Sequence, residues 1–265
     1  MSSSDSPSDA LLELAEAALE DGYPEKTLEL CRQIRNNAPA DVNAWFLEAE
    51  ALRELRASSA AEDAYRHAVL LDPAHSGAWC GLSTVLFDQR MYDQSRIAVH
   101  RALRLDAEVW NAYYTRALLR ERRGDEDGAR RDYLRAWRLG SPLGVPATLT
   151  DAEIRQVLVD AALRVDEALG AWVQALPLHV GELPDERACV AAHPFTSPAE
   201  LVGHLAIGLD MVPDVEMQPI PPPPIVVYRR NLGRFAQDRD DLLAVVTDQI
   251  IEPVREWAEL RAIEV

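Results

Sequence analysis

VNAWFLEAEALRELRASSAAEDAYRHAVLLDPAH, residues 42–75, runs directly into SGAWCGLSTVLFDQRMYDQSRIAVHRALRLDAEV, residues 76–109. Laid one on the other, the two stretches match Trp45 with Trp79, Ala49 with Ser83, Ala61 with Ser95 and Ala68 with Ala102. The same 34-residue step reaches Tyr113 and Ala117 downstream. A fixed period of this length marks stacked helical hairpins, because each hairpin cannot bury its apolar face alone and closes its core against the next.

Working outward, the units begin near residues 8, 42, 76 and 110. Small residues occupy the twentieth position (Thr27, Ala61, Ser95, Ala129), and mostly bulky ones the twenty-fourth (Cys31, Tyr65, Val99, Tyr133). The twenty-seventh gives Ile34, Ala68, Ala102 and Ala136, and the thirty-second Pro39, Pro73, Ala107 and Ser141. Small side chains let two antiparallel helices approach, bulky ones fill the space between hairpins, and proline stops the second helix. The outer units depart from the pattern: Leu11 stands where the others have an aromatic, and Arg120 where an apolar residue is usual. Terminal repeats face something other than a repeat, so such departures are expected there.

These positions resemble the tetratricopeptide repeat over about residues 9–142. The resemblance implies a helical-hairpin solenoid that binds a protein or peptide on the surface lined by the first helix of each unit. On that surface it places Asn43, Phe46, Glu50 and Arg53, then Gly77, Cys80, Thr84 and Phe87, then Asn111, Tyr114, Leu118 and Glu121. Asn43 and Asn111 are suited to hydrogen-bonding a peptide backbone, with Phe46, Phe87 and Tyr114 as apolar contacts and Cys80 and Leu118 beside them. The alternative is that the aromatics complete the core or pack against the downstream domain. The Lys/Asn clamp with which some members hold a chaperone C-terminus is missing, since Leu12 and Glu16 occupy the matching positions. The fourth unit is crowded with arginine, including Arg116, Arg120, Arg123 and Arg131. Such a run reads either as a solvated helix face or as a patch for an acidic partner or for the acidic half of the chain.

The formal charge is −17, divided as −6 over residues 1–140 and −11 over 141–265. That balance argues against nucleic acid, which requires clustered cations on a net positive face. Three widely spaced cysteines, Cys31, Cys80 and Cys189, suggest a reducing compartment. Residues 1–8 have no basic or apolar run of a signal peptide and are expected to be disordered, and no stretch is long and apolar enough to span a bilayer. A cytoplasmic protein is expected, and the use of arginine in place of lysine suggests a bacterial source.

Gly140, Pro142, Gly144 and Pro146 interrupt the helical pattern, which places a linker at 143–150 and a second domain at 151–265. There, Thr150 caps a helix predicted over 151–175, strands are predicted at Leu178–Gly181 and Ile225–Tyr228, and apolar residues from Leu242 to Leu260 recur at helical spacing. Pro221–Pro224 read as a stiff spacer before the second strand. Val227, Tyr228, Arg229, Arg230, Asn231, Leu232, Asp238, Asp241 and Leu242 are similar to the minimal zincin-like metallopeptidases. In that family a strand ending in this Tyr/Arg sequence leads to a helix bearing His-Glu-x-x-His. The resemblance implies a small α+β domain and places the motif at Ile251, Glu252, Pro253, Val254 and Arg255, where the glutamate alone survives. Zinc requires two imidazoles on one helix face, so no metal, no cofactor and no catalytic residue is expected. Cys189 and His193 form a short loop-borne pair, read as coincidence.

The expected architecture is therefore mainly α: a tetratricopeptide array followed by a small zincin-like α+β domain without its metal motif. The expected function is that of a non-enzymatic adaptor. A zinc peptidase with ligands elsewhere, or an array with an unrelated capping or dimerising domain, are the alternatives.

Overall fold

The computed structural model describes residues 7–143, 145–184, 199, 201–205, 224–236 and 238–260. Residues 1–6, Cys189, His193 and Pro221–Pro223 lie outside them. The chain divides into two compact units, Met1–Pro142 and Leu143–Val265.

The first unit is eight helices in four hairpins: α1 (Pro7–Glu20), α2 (Pro24–Asn37), α3 (Val42–Glu54), α4 (Ser58–Leu71), α5 (Ser76–Asp88), α6 (Tyr92–Leu105), α7 (Trp110–Glu121) and α8 (Glu126–Arg138). Its first helix starts at Pro7, inside the segment expected to be disordered. The second helices begin 34 residues apart, at Pro24, Ser58, Tyr92 and Glu126. The turn between the helices of each hairpin repeats as closely. Gly22, Arg56, Arg90 and Gly124 all have positive φ, between 58° and 77°. The amide after each donates to a carbonyl five residues back: Tyr23 to Ala18, Ala57 to Leu52, Met91 to Leu86 and Asp125 to Arg120. This is the Schellman closure of a helix end, and it wants a left-handed residue. Glycine adopts that conformation without penalty, whereas the two arginines hold it against a cost of roughly 1 kcal/mol each.

The hairpins close on the small positions. Ala15, Ala49, Ser83 and Ala117 face Thr27, Ala61, Ser95 and Ala129, all buried. Thr27 Oγ1 donates to Ala15 O at 3.2 Å and Ser95 Oγ to Ser83 O at 2.7 Å, so where the small residue is polar it bonds across the hairpin. The 34-residue aromatics tie successive units: Trp45 Nε1 donates to Pro39 O at 2.9 Å and Trp79 Nε1 to Pro73 O at 3.0 Å. Tyr113 has no indole to offer, and Arg116 and Arg135 lie over its ring instead, at 5.0 and 5.8 Å.

Helix starts show a graded device. Asp41 caps α3 by accepting from Ala44 N, His75 caps α5 through Nδ1 from Ala78 N, and the equivalent Val109 gives α7 no side-chain cap. Val109 already has the extended backbone of a cap residue. Val109→Asp is therefore expected to stabilise the array by about 1 kcal/mol, the usual worth of an N-cap, read from the urea midpoint by circular dichroism.

The second unit holds α9 (Asp151–Val165), α10 (Glu167–Ala175), β1 (Leu178–Gly181), β2 (Gly203–Leu205), β3 (Ile225–Tyr228), α11 (Arg229–Phe235), α12 (Arg239–Val246), a π-helical turn (Thr247–Ile251) and α13 (Glu252–Leu260). The sheet order is β1-β3-β2, with β1 parallel and β2 antiparallel to β3. Ile225 and Val227 pack with Leu158, Leu169, Leu243 and Ile250 in the unit's core. Both predicted strands are present, and β2 falls in a stretch read as irregular. The helix predicted over 151–175 is two: Asp166 is extended, and its carboxylate caps α10 from Ala168 N and Leu169 N. Residues before α9 are tied into this unit, with Ala147 N bonded to Gly233 O at 2.9 Å and Leu149 O accepting from Arg229. Glu252 has a helical backbone, and a π turn precedes Pro253, with Glu252 N reaching back five residues to Thr247 O.

Candidate functional site

Helices α3, α5 and α7 lie side by side as the first helices of successive hairpins, and side chains bond from α5 to α7 on one face. Cys80 Sγ donates to Asn111 Oδ1 at 2.9 Å, and the Thr84 and Thr115 hydroxyls lie 3.2 Å apart. The thiol uses the acceptor end of the Asn111 amide, and the NH2 end of that half-buried side chain is a donor. Asn43, two first helices away, is exposed. Between them, at the equivalent position, sits Gly77, where a Cβ would stand 3.3 Å from the His75 ring and 3.4 Å from the Phe46 ring. Phe46 is half-buried and tilted against His75 at 4.8 Å. The face thus presents two amides with an aromatic shelf between them.

Charge on this face is internally balanced. Glu50 accepts from Tyr65 Oη at 2.5 Å and from Arg53 Nη2 at 2.7 Å. Burial, then the Glu50 carboxylate, raises the Tyr65 phenol well above its ordinary range. The Glu50 carboxylate and Tyr65 likewise outweigh burial and hold the Arg53 guanidinium charged.

Of the seven sequence-predicted contact residues, Asn43 is exposed and Phe46, Asn111 and Tyr114 are half-buried. Cys80, Phe87 and Leu118 are 0%, 2% and 7% exposed. These three shape the surface from beneath and offer a ligand little area. Phe87 packs edge-on to Tyr92, and Tyr114 packs edge-on to Tyr133 at 5.2 Å. The positioning role of Cys80 depends on a contact between two hairpins, which spacing within one hairpin does not reveal.

Two of the four arginines named in the fourth unit are paired within it. Asp132, buried on α8, binds Arg116 through two bonds of 2.8 and 2.7 Å and pairs with Arg120 at 3.0 Å. Arg120 also donates to Gly128 O. Both guanidiniums are held inside the fourth hairpin because their neighbour supplies a carboxylate. Arg131 is exposed, and Arg123 approaches Asp93 only at 3.6 Å.

Burial raises the thiols of Cys31 and Cys80, each to about 12. Both are expected to resist iodoacetamide at pH 8 in the native protein and to react fully in urea, as read by intact-mass spectrometry. The sign follows from the upward shift: the thiols stabilise the fold fully below their unfolded value near 9, and that contribution is lost as pH rises towards 12.

In the second unit the positions matching the metal motif are occupied otherwise. Ile251 is fully buried in the core, and Arg255 pairs with Glu252 at 2.6 Å and approaches Glu259 at 3.9 Å. Among the described residues no group of three or more His, Cys, Asp or Glu could hold a metal, and no helix is long and apolar enough to cross a membrane.

The repeated turn, the small-residue seam and the Trp-to-Pro bond recur at one interval through mainly helical hairpins. The first unit is a mainly helical array whose fold is tetratricopeptide-like. Solved structures with a similar fold include MamA (20% identity, TM-score 0.45, covering 50% of this chain and 78% of that one). Others are a mutant Thermobaculum terrenum O-GlcNAc transferase (26%, 0.48, 57% and 30%) and the first TPR domain of human RPAP3 (15%, 0.42, 45% and 94%). Each alignment covers about half of the chain. No protein-family model and no curated protein sequence matches the chain.

Proposed function

We propose that the protein is a non-enzymatic adaptor whose first-helix face of α3, α5 and α7 binds an extended segment of a partner protein. The observation that carries the reading is the Cys80 to Asn111 bond, which holds the Asn111 amide on that face. A peptide carbonyl at Asn111, a second contact at Asn43 and an apolar side chain on Phe46 account for the exposed chemistry there. The second unit is read as a zincin-like fold that has lost its metal and serves docking or regulation. Supporting this, its strands pack beside the last helix, while Ile251 fills core and Arg255 is satisfied by carboxylates.

The test is capture of the partner from the native cell, its identification, and measurement of Kd with the purified pair. Asn111→Ala is expected to weaken binding by roughly three- to tenfold, the worth of one hydrogen bond, with unchanged helicity. Tyr114 is a poorer probe, because its ring also supports Tyr133. Unaltered affinity in both Asn111→Ala and Asn43→Ala would place the binding surface elsewhere. Stoichiometric zinc in the same preparation would overturn the metal-free reading of the second unit.

A further inference from the structure

Helix α6 carries Arg96, His100 and Arg104 at steps of four, which sets them in one row along the helix. From Gln94 to Leu105 it contains no acidic residue. Arg116 and Arg120 adjoin from α7, where they share the carboxylate of Asp132, and Arg120 also lies 3.7 Å from Asp125. Arg96 reaches only the exposed Asp93, at 3.5 Å, and its buried Nε–H has no acceptor. Among the described residues Arg104 forms no ion pair. Beside the row, Ile97 is 63% exposed.

The field along this row is positive. His100 holds its proton less tightly than an ordinary imidazole, first through burial and then through Arg116, Arg96, Arg120 and Arg104. Those four guanidiniums, two from its own helix and two from α7, are the strongest charged influences on it, and Asp132 is bonded to the α7 pair.

We propose that this row on α6 binds a short acidic peptide segment of a partner protein, with carboxylates at Arg96 and Arg104 and an apolar side chain against Ile97. The spacing suits an extended chain. Cations four residues apart on a helix recur about every 6 Å, and alternate residues of a strand recur about every 6.6 Å. A long polyanion fits less well, because the chain carries −17 overall. Only a ligand confined within about one Debye length of the row, roughly 8 Å, escapes that repulsion. The surface is separate from the first-helix face, so either reading can fail alone.

The experiment follows the His100 ring resonances of the full-length protein against pH. The probe is a blocked hexapeptide, Glu-Ser-Glu-Ser-Glu-Leu, and the controls are the same peptide with Gln for Glu, inorganic phosphate, and a short RNA duplex. The acidic peptide is expected to raise the His100 midpoint saturably, since a nearby anion favours the charged imidazole. Binding should tighten as pH falls through that midpoint and weaken with salt. Arg96→Glu with Arg104→Glu is expected to weaken binding at least about tenfold, and the exposed single variant Arg104→Gln provides a milder probe. The proposal is overturned by an equal effect of the Gln peptide or of phosphate at matched charge. It is also overturned by a response to RNA alone, or by undiminished binding in folded variants.

Discussion

Gly81→Ala should destabilise the array by about 3 kcal/mol, although alanine is the better helix former by about 1 kcal/mol. The reason lies in the neighbouring hairpin. A Cβ on Gly81 would fall within 3.0 Å of three atoms of the Tyr65 side chain. Tyr65 is fully buried, and its hydroxyl is fixed by Glu50, which also holds Arg53. The ring cannot move aside without breaking a charge-assisted hydrogen bond, worth about 1.5–3 kcal/mol, so overpacking and bond loss compound each other. Urea unfolding of Gly81→Ala, Tyr65→Leu and the double variant gives the coupling directly. Tyr65→Leu frees the space and is expected to recover at least half of the loss caused by alanine, because adjoining sites are not additive. Full additivity would mean that the ring was never the obstacle.

This coupling marks the border of what the sequence discloses. Trp45, Trp79, the small seam positions and the prolines are legible because one geometry imposes one requirement every 34 residues, and repetition reveals it. Gly81 stands at a position held by Leu47 and Thr115 in neighbouring units, so it looks like an isolated glycine until Tyr65 is found against it. Arg56 and Arg90 conceal the left-handed turn that Gly22 and Gly124 announce. On the first-helix face the sequence gives the facing positions but not their depth: Cys80 and Leu118 are buried, while Asn43 is exposed. Depth depends on neighbouring helices, which position within a hairpin does not encode. In the second unit β3 was legible from its β-branched run, whereas β2 is three residues long, and Asp166 interrupts a helix in a way that apolar spacing ignores.

Asp132→Ala is expected to destabilise the fourth hairpin by about 3 kcal/mol, the lower end of the range for removing one partner of a buried charge network. Asp132 is the common carboxylate of Arg116 and Arg120, and its side chain is 5% exposed. Its loss leaves two guanidiniums facing each other with only Asp125, at 3.7 Å from Arg120, near them. The loss stays at the low end because the arginine side chains are 21% and 32% exposed and can recover some hydration. Removing all three charges has a different expected result. Arg116→Leu, Arg120→Leu and Asp132→Leu together restore the apolar character that Leu82 and Leu86 give the third unit at the two α7 positions. Replacing a buried ion network by packed apolar side chains is commonly neutral or stabilising. The triple variant should therefore unfold in urea no earlier than the parent, while Asp132→Ala unfolds well before it. A triple variant as unstable as the single one would mean that the network contributes net stability beyond avoiding an unpaired charge.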